Sequence, residues 1–392
     1  MKLLVLSFYY QPDLSAGSFR TTALVKALLD KLPGDAHIEL ITTLPNRYSS
    51  FSREAPELEE HPRLTIRRVA LPAHKSGMVD QAKAFIVYAR QARSIVRGKH
   101  YDLVYATSSR LMTATLGAVI ARSKKAPLYL DIRDIFVDTI KDVLPGKMVR
   151  FIKPILSLLE RFTIKSARKV NLVSVGFLPY FKSRYPDQSY SLFTNGIDDE
   201  FLSLPIIQTQ NNQGRVLNVV YAGNIGEGQG LHNIIPQLAK RFDGTLRFKV
   251  IGDGGRLTAL KEAISASDCK NVDLLSPIKR DELISVYQSA DILFLHLNDY
   301  DAFRKVLPSK LFEYAAMGKP IWAGISGYAA EFVSEHVENA SVFAPCDVDA
   351  AFESFKKLKA SATPRTAFLA RFARANIMGE MAVEVISVSE KS

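Results

Sequence analysis

The chain has 392 residues, 47% of them hydrophobic, which suits two to three domains of roughly 150 residues and excludes a disordered protein. Two cysteines, Cys269 and Cys346, exclude a disulfide framework, and no Cys/His spacing of a zinc site occurs. The net charge of +11 is lopsided: residues 1–200 carry 30 Lys and Arg against 19 Asp and Glu, and the rest carry 21 of each. The first half is therefore expected to meet an anionic partner, a membrane surface or a nucleic acid.

Residues 1–7 (Met-Lys-Leu-Leu-Val-Leu-Ser) are too short an apolar run for a signal peptide and read as a core strand, 2–8. Further apolar strands are expected at 37–43, 64–69, 103–106, 127–132 and 170–173. Amphipathic helices fall between them at 19–31, 79–97 and 111–122. Short apolar strands separated by helices predict a parallel sheet covered on both faces. No uncharged apolar run reaches ~18 residues, so no spanning helix is predicted. Segment 146–169 is different. Its basic residues, Lys147, Arg150, Lys153, Arg161, Lys165, Arg168 and Lys169, flank a strongly apolar centre. That describes either a helix lying in an anionic membrane interface or a sheet-packed helix with a solvated basic edge.

Residues 204–215, rich in Gln and Asn, interrupt the pattern and read as a linker. Alternation then resumes, with strands at 216–221, 247–251, 272–275, 292–295 and 321–323 and helices at 231–242, 257–265, 280–289 and 309–317. The tail, 363–390, reads as one helix. Two α/β halves around a linker predict a cleft whose ligands meet the carboxyl ends of the strands.

Three glycine turns follow strands: Ser15-Ala16-Gly17-Ser18, the stretch 222–230 with Gly223 and Asn224, and Ile251-Gly252-Asp253-Gly254-Gly255. Glycine lets backbone N–H groups approach an anion beside a helix N-terminus, but each turn alone is equally well a structural one. Neither a dinucleotide G-x-G-x-x-G nor a Walker pattern is present. Residues 307–314 (Leu-Pro-Ser-Lys-Leu-Phe-Glu-Tyr) say more. Pro308 suits a first helical turn, Ser309 a cap, Lys310 a cation beside free N–H groups, and Glu313 a carboxylate able to accept a ribose diol. Locally, a capped helix with a surface Lys–Glu pair explains the same residues.

Taken in order, these segments resemble a family 4 glycosyltransferase of the GT-B fold, in the branch that builds bacterial surface polysaccharides such as O-antigen. The resemblance rests on Ser-Phe-Tyr-Tyr-Gln-Pro near the start, Leu-Asp-Ile-Arg-Asp-Ile-Phe at 130–136 and Phe-Thr-Asn-Gly-Ile-Asp at 193–198. It continues with Tyr-Ala-Gly-Asn-Ile-Gly at 221–226, Val-Ile-Gly-Asp-Gly at 250–254 and the block 307–320. It implies an α/β fold of two doubly wound Rossmann-like domains facing across a cleft. Residues 1–200 would bind the acceptor, 201–215 link, 216–375 hold the nucleotide sugar, and 376–392 form a helix crossing back. The implied activity is retaining transfer of a sugar, an N-acetylated or 6-deoxy hexosamine, from a UDP-linked donor. The acceptor would be an undecaprenyl-diphosphate-linked saccharide at the inner face of the cell membrane, with no metal, no other cofactor and no nucleic-acid partner. Glu313 would bind ribose, Pro308, Ser309 and Lys310 the diphosphate, Gly252 and Asp253 the base and ribose, and Gly17, Gly223 and Asn224 would line the phosphates.

The chain departs from that pattern at two places. Lys305 stands where the family often has a first Glu, and Asn224 and Gln229 stand where it often has Arg and Lys. Lys305, with Arg304 or Lys310, is expected to supply the leaving-group charge. Arg133 and Asp134 occupy the region where many members carry a His; Asp134 reads either as the acceptor's base or as a helix cap. Two other functions remain open: a GT-B-shaped sugar-nucleotide epimerase, for which His296 is the one histidine at a strand end in the second half, and a catalytically silent donor-binding subunit.

Overall fold

A computed structural model describes residues 1–13, 15–45, 54–72, 78–108, 111–138, 146–207 and 214–390, and it divides into two units. The first comprises Met1–Asn195 and Arg374–Ser392, the second Gly196–Ala373. Residues 208–213 of the expected linker lie outside the described residues, as do the side chains of Lys147 and Met148.

The first unit runs β1 (Lys2–Leu6), α1 (Ala16–Lys31), β2 (His37–Thr43), β3 (Leu58–His61), β4 (Leu64–Val69), α2 (Met78–Ile95), β5 (Leu103–Thr107) and α3 (Leu111–Lys124). It continues with β6 (Leu128–Ile132), α4 (Gly146–Ser166), β7 (Lys169–Leu172), α5 (Leu178–Arg184) and β8 (Tyr190–Ser191). Its sheet order is β3-β4-β2-β1-β5-β6-β7-β8, parallel except for the β3–β4 hairpin. The central strands are fully buried, which is why they read as unbroken apolar runs. One charge sits among them. Asp131 on β6 is bridged by Arg20 of α1 through Nε (2.8 Å) and Nη2 (3.0 Å), and accepts from Tyr105 and Asn171. Arg20 also donates to the carbonyls of Phe193 and Thr194.

The second unit contains α6 (Asp199–Leu202), β9 (Leu217–Ala222), α7 (Leu231–Arg241), β10 (Leu246–Ile251), α8 (Leu257–Ala266), β11 (Val272–Leu275), α9 (Arg280–Ser289) and β12 (Ile292–His296). Then follow α10 (Lys310–Ala316), β13 (Ile321–Gly324), α11 (Tyr328–His336), β14 (Ala340–Phe343), α12 (Val348–Phe355) and α13 (Thr366–Phe372). All its strands are parallel, in the order β11-β10-β9-β12-β13-β14. This is the doubly wound order, with its switch point between β9 and β12, where such sheets take ligands. Trp322 at the centre of the core is fully buried and donates to Ser354 Oγ (2.9 Å).

The expected single tail helix is two helices. It breaks at Ala373, and α14 (Arg374–Glu390) belongs to the first unit, where it packs on α1. On α4, Phe151, Ile155 and Leu158 are 77, 63 and 68% exposed. Their spacing puts them on one face, and exposed Arg150, Lys153, Arg161 and Lys165 border it. Among the described residues no helix is long and apolar enough to cross a membrane.

Candidate functional site

In the second unit the glycine turns after β9 and β10 are pressed together. Gly223 N–H donates to Ile251 O (2.8 Å) and Ile225 N–H to Asp253 O (2.9 Å). Gly223 has φ +140°, and a β-carbon there would lie 1.8 Å from Lys310 Nζ. Gly252, at φ +150°, would place one 1.8 Å from the Gly223 carbonyl oxygen. Both positions thus demand glycine for conformation and for space. The Lys310 ammonium lies against the backbone of the first turn, 5.6 Å from the Tyr221 ring centre, and Tyr314 Oη accepts from Ala222 N–H (3.2 Å). Lys310 and Tyr314 therefore tie α10 to the carboxyl end of β9.

Ser309 holds the N-cap position of α10, but its backbone is already helical and its side chain makes no capping bond, so the expected hydroxyl cap is corrected. Pro308 precedes that cap instead of opening the helix; its carbonyl accepts from Leu311 N–H (3.2 Å). Asn224 donates to Gln229 Oε1 (2.7 Å): the two residues that replace cations hold each other. Asp253 Oδ1 caps the N–H of Gly254 (2.7 Å). Lys305 ends a 3₁₀ turn, Phe303–Lys305, between β12 and α10. The Arg304 guanidinium is drawn to Asp299 (3.3 Å) and Asp301 (3.9 Å).

Sequence reasoning missed Arg280. It lies 3.6 Å from Glu313 and also pairs with Asp198 and Glu200. A cation in the first turn of α9 opposes the helix dipole, so other carboxylates must hold it there; that misfit was the readable signal. His296, the one histidine at a strand end in the second half and without an obvious carboxylate pair, is held by the backbone. It is fully buried, with Nε2 accepting from Cys346 N–H (3.0 Å) and Nδ1 facing Gln229 O (2.7 Å). Both nitrogens are spent on backbone, and burial pushes its pKa from 6.5 down to about 4. The unfolded imidazole protonates near 6.5 and the folded one only near 4. Its stabilising contribution is thus complete above pH 6.5 and lost as pH falls to 4. The second unit should lose about 3 kcal/mol over that window, and H296Q should flatten the slope in urea titrations at stepped pH. A wild-type profile as flat as the variant's contradicts this.

In the first unit, Gly17 is the second residue of α1, and a β-carbon there would lie 2.7 Å from Arg133 Nη1. Arg133 Nε and Nη1 are buried with no hydrogen-bond partner among the described residues. Burial lowers its pKa, Asp131 offsets this and Arg20 adds to it. Ser18 Oγ and Thr107 Oγ1 are likewise buried without a partner there. These groups stand at the carboxyl ends of β1, β5 and β6, at that sheet's own switch point. Asp134 is exposed and stands two residues before the helical backbone that begins at residue 136.

Residues 206–374 match the family described as Glycosyl transferases group 1. The chain is 32% identical over 100 residues to WcaI of Escherichia coli (strain K12), named for glycosyl transfer in colanic acid biosynthesis. That match takes in 26% of this chain and only 24% of WcaI. It is 24% identical over 280 residues to 2-deoxystreptamine N-acetyl-D-glucosaminyltransferase of Niallia circulans, covering 67% of this chain and 69% of that enzyme. Among solved structures, Anabaena HepE in complex with UDP and glucose superposes with TM-score 0.68 at 16% identity over 99% of both chains. WaaG, involved in lipopolysaccharide biosynthesis, gives TM-score 0.62 at 14% identity over 100% of this chain and 98% of its own. The protein has the GT-B fold, and its residues 206–374 are similar to the Glycosyl transferases group 1 domain.

Proposed function

We propose that the protein is a retaining, metal-independent glycosyltransferase taking a UDP-linked sugar as donor. The observation that carries this is the Lys310 ammonium lodged on the glycine turn at the switch point, with Glu313 one turn further along α10. A cation and exposed backbone N–H groups at a carboxyl sheet edge suit a leaving diphosphate, and Glu313 suits a ribose diol. In the transfer, the bond from the anomeric carbon to the diphosphate oxygen breaks. A bond from the acceptor oxygen forms on the same face of the sugar, and the acceptor proton is released. In the first unit, Arg133 offers unpaired N–H groups to an anionic part of a substrate, and Asp134 orients or deprotonates the acceptor hydroxyl.

The acceptor we propose is an undecaprenyl-diphosphate-linked saccharide of a bacterial surface polysaccharide, with an N-acetylated or 6-deoxy hexosamine as the transferred sugar. The Niallia relative's name supports an N-acetylhexosamine. The exposed Phe151–Ile155–Leu158 stripe with its basic border supports peripheral binding to an anionic membrane, on the cytoplasmic face.

Thermal stabilisation across a panel of nucleotide sugars tests the donor: a ligand at 100 times its Kd adds about 2.7 kcal/mol. Product formed from that donor and a lipid-linked acceptor pool then establishes transfer. Isomerisation of the free donor would replace the reading by an epimerase, and tight UDP binding without transfer by a silent subunit. The backbone-locked His296 disfavours the epimerase. Cosedimentation with phosphatidylglycerol vesicles should be lost in F151S/I155S/L158S; retained binding removes α4 as the membrane element.

A further inference from the structure

The first unit holds a second concave site. A groove of about 640 Å³ opens where the carboxyl ends of α2 and α3 meet, lined by Arg90, Arg93, Arg97, Ser123 and Lys124 over Val119 and Ile120. Helices in this unit run back against their strands, so these ends lie at the amino edge of the sheet. Gly17 and Arg133 stand at the opposite, carboxyl edge.

The spacing Arg90, Arg93, Arg97 puts three guanidiniums on one face of α2 and its terminal turn. Lys124 faces them from α3. No carboxylate lines the groove, and none of the four cations has an ion-pair partner among the described residues. The negative ends of two helix dipoles account for a cation in each last turn, Arg93 and Lys124. They do not account for Arg90, further inside α2, or for three arginines sharing one face, since like charges at that spacing repel.

We infer that this groove binds a ligand carrying two or more phosphate groups. Guanidinium forks match phosphate oxygens in pairs, and a concave site with four unpaired cations gathers more charge than a single phosphate neutralises. The phosphates have two possible sources, a soluble polyphosphate or the headgroups of an anionic membrane, and each gives a different binding result.

The test uses the full chain and R90Q/R93Q/R97Q, whose substitutions relieve repulsion on exposed positions and should leave the unliganded Tm at or above the wild-type value. Calorimetric titration with sodium tripolyphosphate at low ionic strength, with UDP present, should show binding about tenfold or more weaker in the variant. Such a loss with vesicle binding unchanged assigns a soluble ligand. Vesicle binding that the variant loses and that tripolyphosphate displaces assigns the headgroup source. Unchanged affinity of the variant in both assays overturns the inference. Complete displacement of tripolyphosphate by UDP also overturns it, by moving the binding to the donor site. UDP binding by the variant, measured alongside, keeps failure of this site distinct from failure of the donor reading.

Discussion

Replacing Lys310 with methionine is expected to lower kcat/KM by about 10²–10³-fold while the protein stays folded. Methionine keeps the stem that passes over Gly223 and removes only the ammonium. That ammonium sits against a backbone turn fitted to it, so the charge is preorganised before any donor arrives. Lys305→Ala is the paired measurement, with an expected loss of about 10²-fold if that lysine also touches the leaving group. Lys305 belongs to a different turn, and its neighbour Arg304 is drawn to Asp299 and Asp301. A larger loss for K305A than for K310M would move the leaving-group charge to Lys305, and near-wild-type turnover in both would remove it from this loop. UDP affinity measured beside kcat separates lost donor binding from lost transition-state stabilisation.

Asp131→Asn should destabilise the first unit by about 3–5 kcal/mol. The substitution is nearly isosteric, but it leaves the fully buried guanidinium of Arg20 without its counter-charge. Burial alone would raise the Asp131 pKa; the Arg20 charge and hydrogen bonds outweigh it, and the net shift is downward. The carboxylate's contribution is therefore present above its unfolded pKa of about 3.9 and is lost as pH falls through the lower folded value. Urea denaturation at neutral pH measures the loss. The R20M/D131N double variant should recover part of it, since no unpaired charge then remains buried. A loss below about 1 kcal/mol for D131N would show that the pair is dispensable.

Central strands were legible because burial on both faces writes an unbroken apolar run, as in Leu3 to Leu6. The edge strand β3 (Leu-Glu-Glu-His) was not, since only its pairing with β4 makes it a strand. The break at Ala373 was equally invisible: both flanks are good helix formers. It is imposed by the Ile197–Phe372 backbone bond and the handover to the first unit. At the candidate site, the local chemistry of Lys310 and Glu313 could be read from a contiguous motif. The seat of the Lys310 ammonium on Gly223 and the packing of Arg133 on Gly17 join residues far apart in the chain, which spacing does not encode.

That handover sets an order of assembly. Arg20 reaches Met381 Sδ (3.4 Å) on α14, so part of its cover is translated only after the whole second unit. At typical synthesis rates the gap is on the order of 10–30 s. Throughout it the first unit lacks one helix beside its buried ion pair, whereas the second unit is contiguous in the chain. α14 therefore joins the first unit only once the second unit has been made.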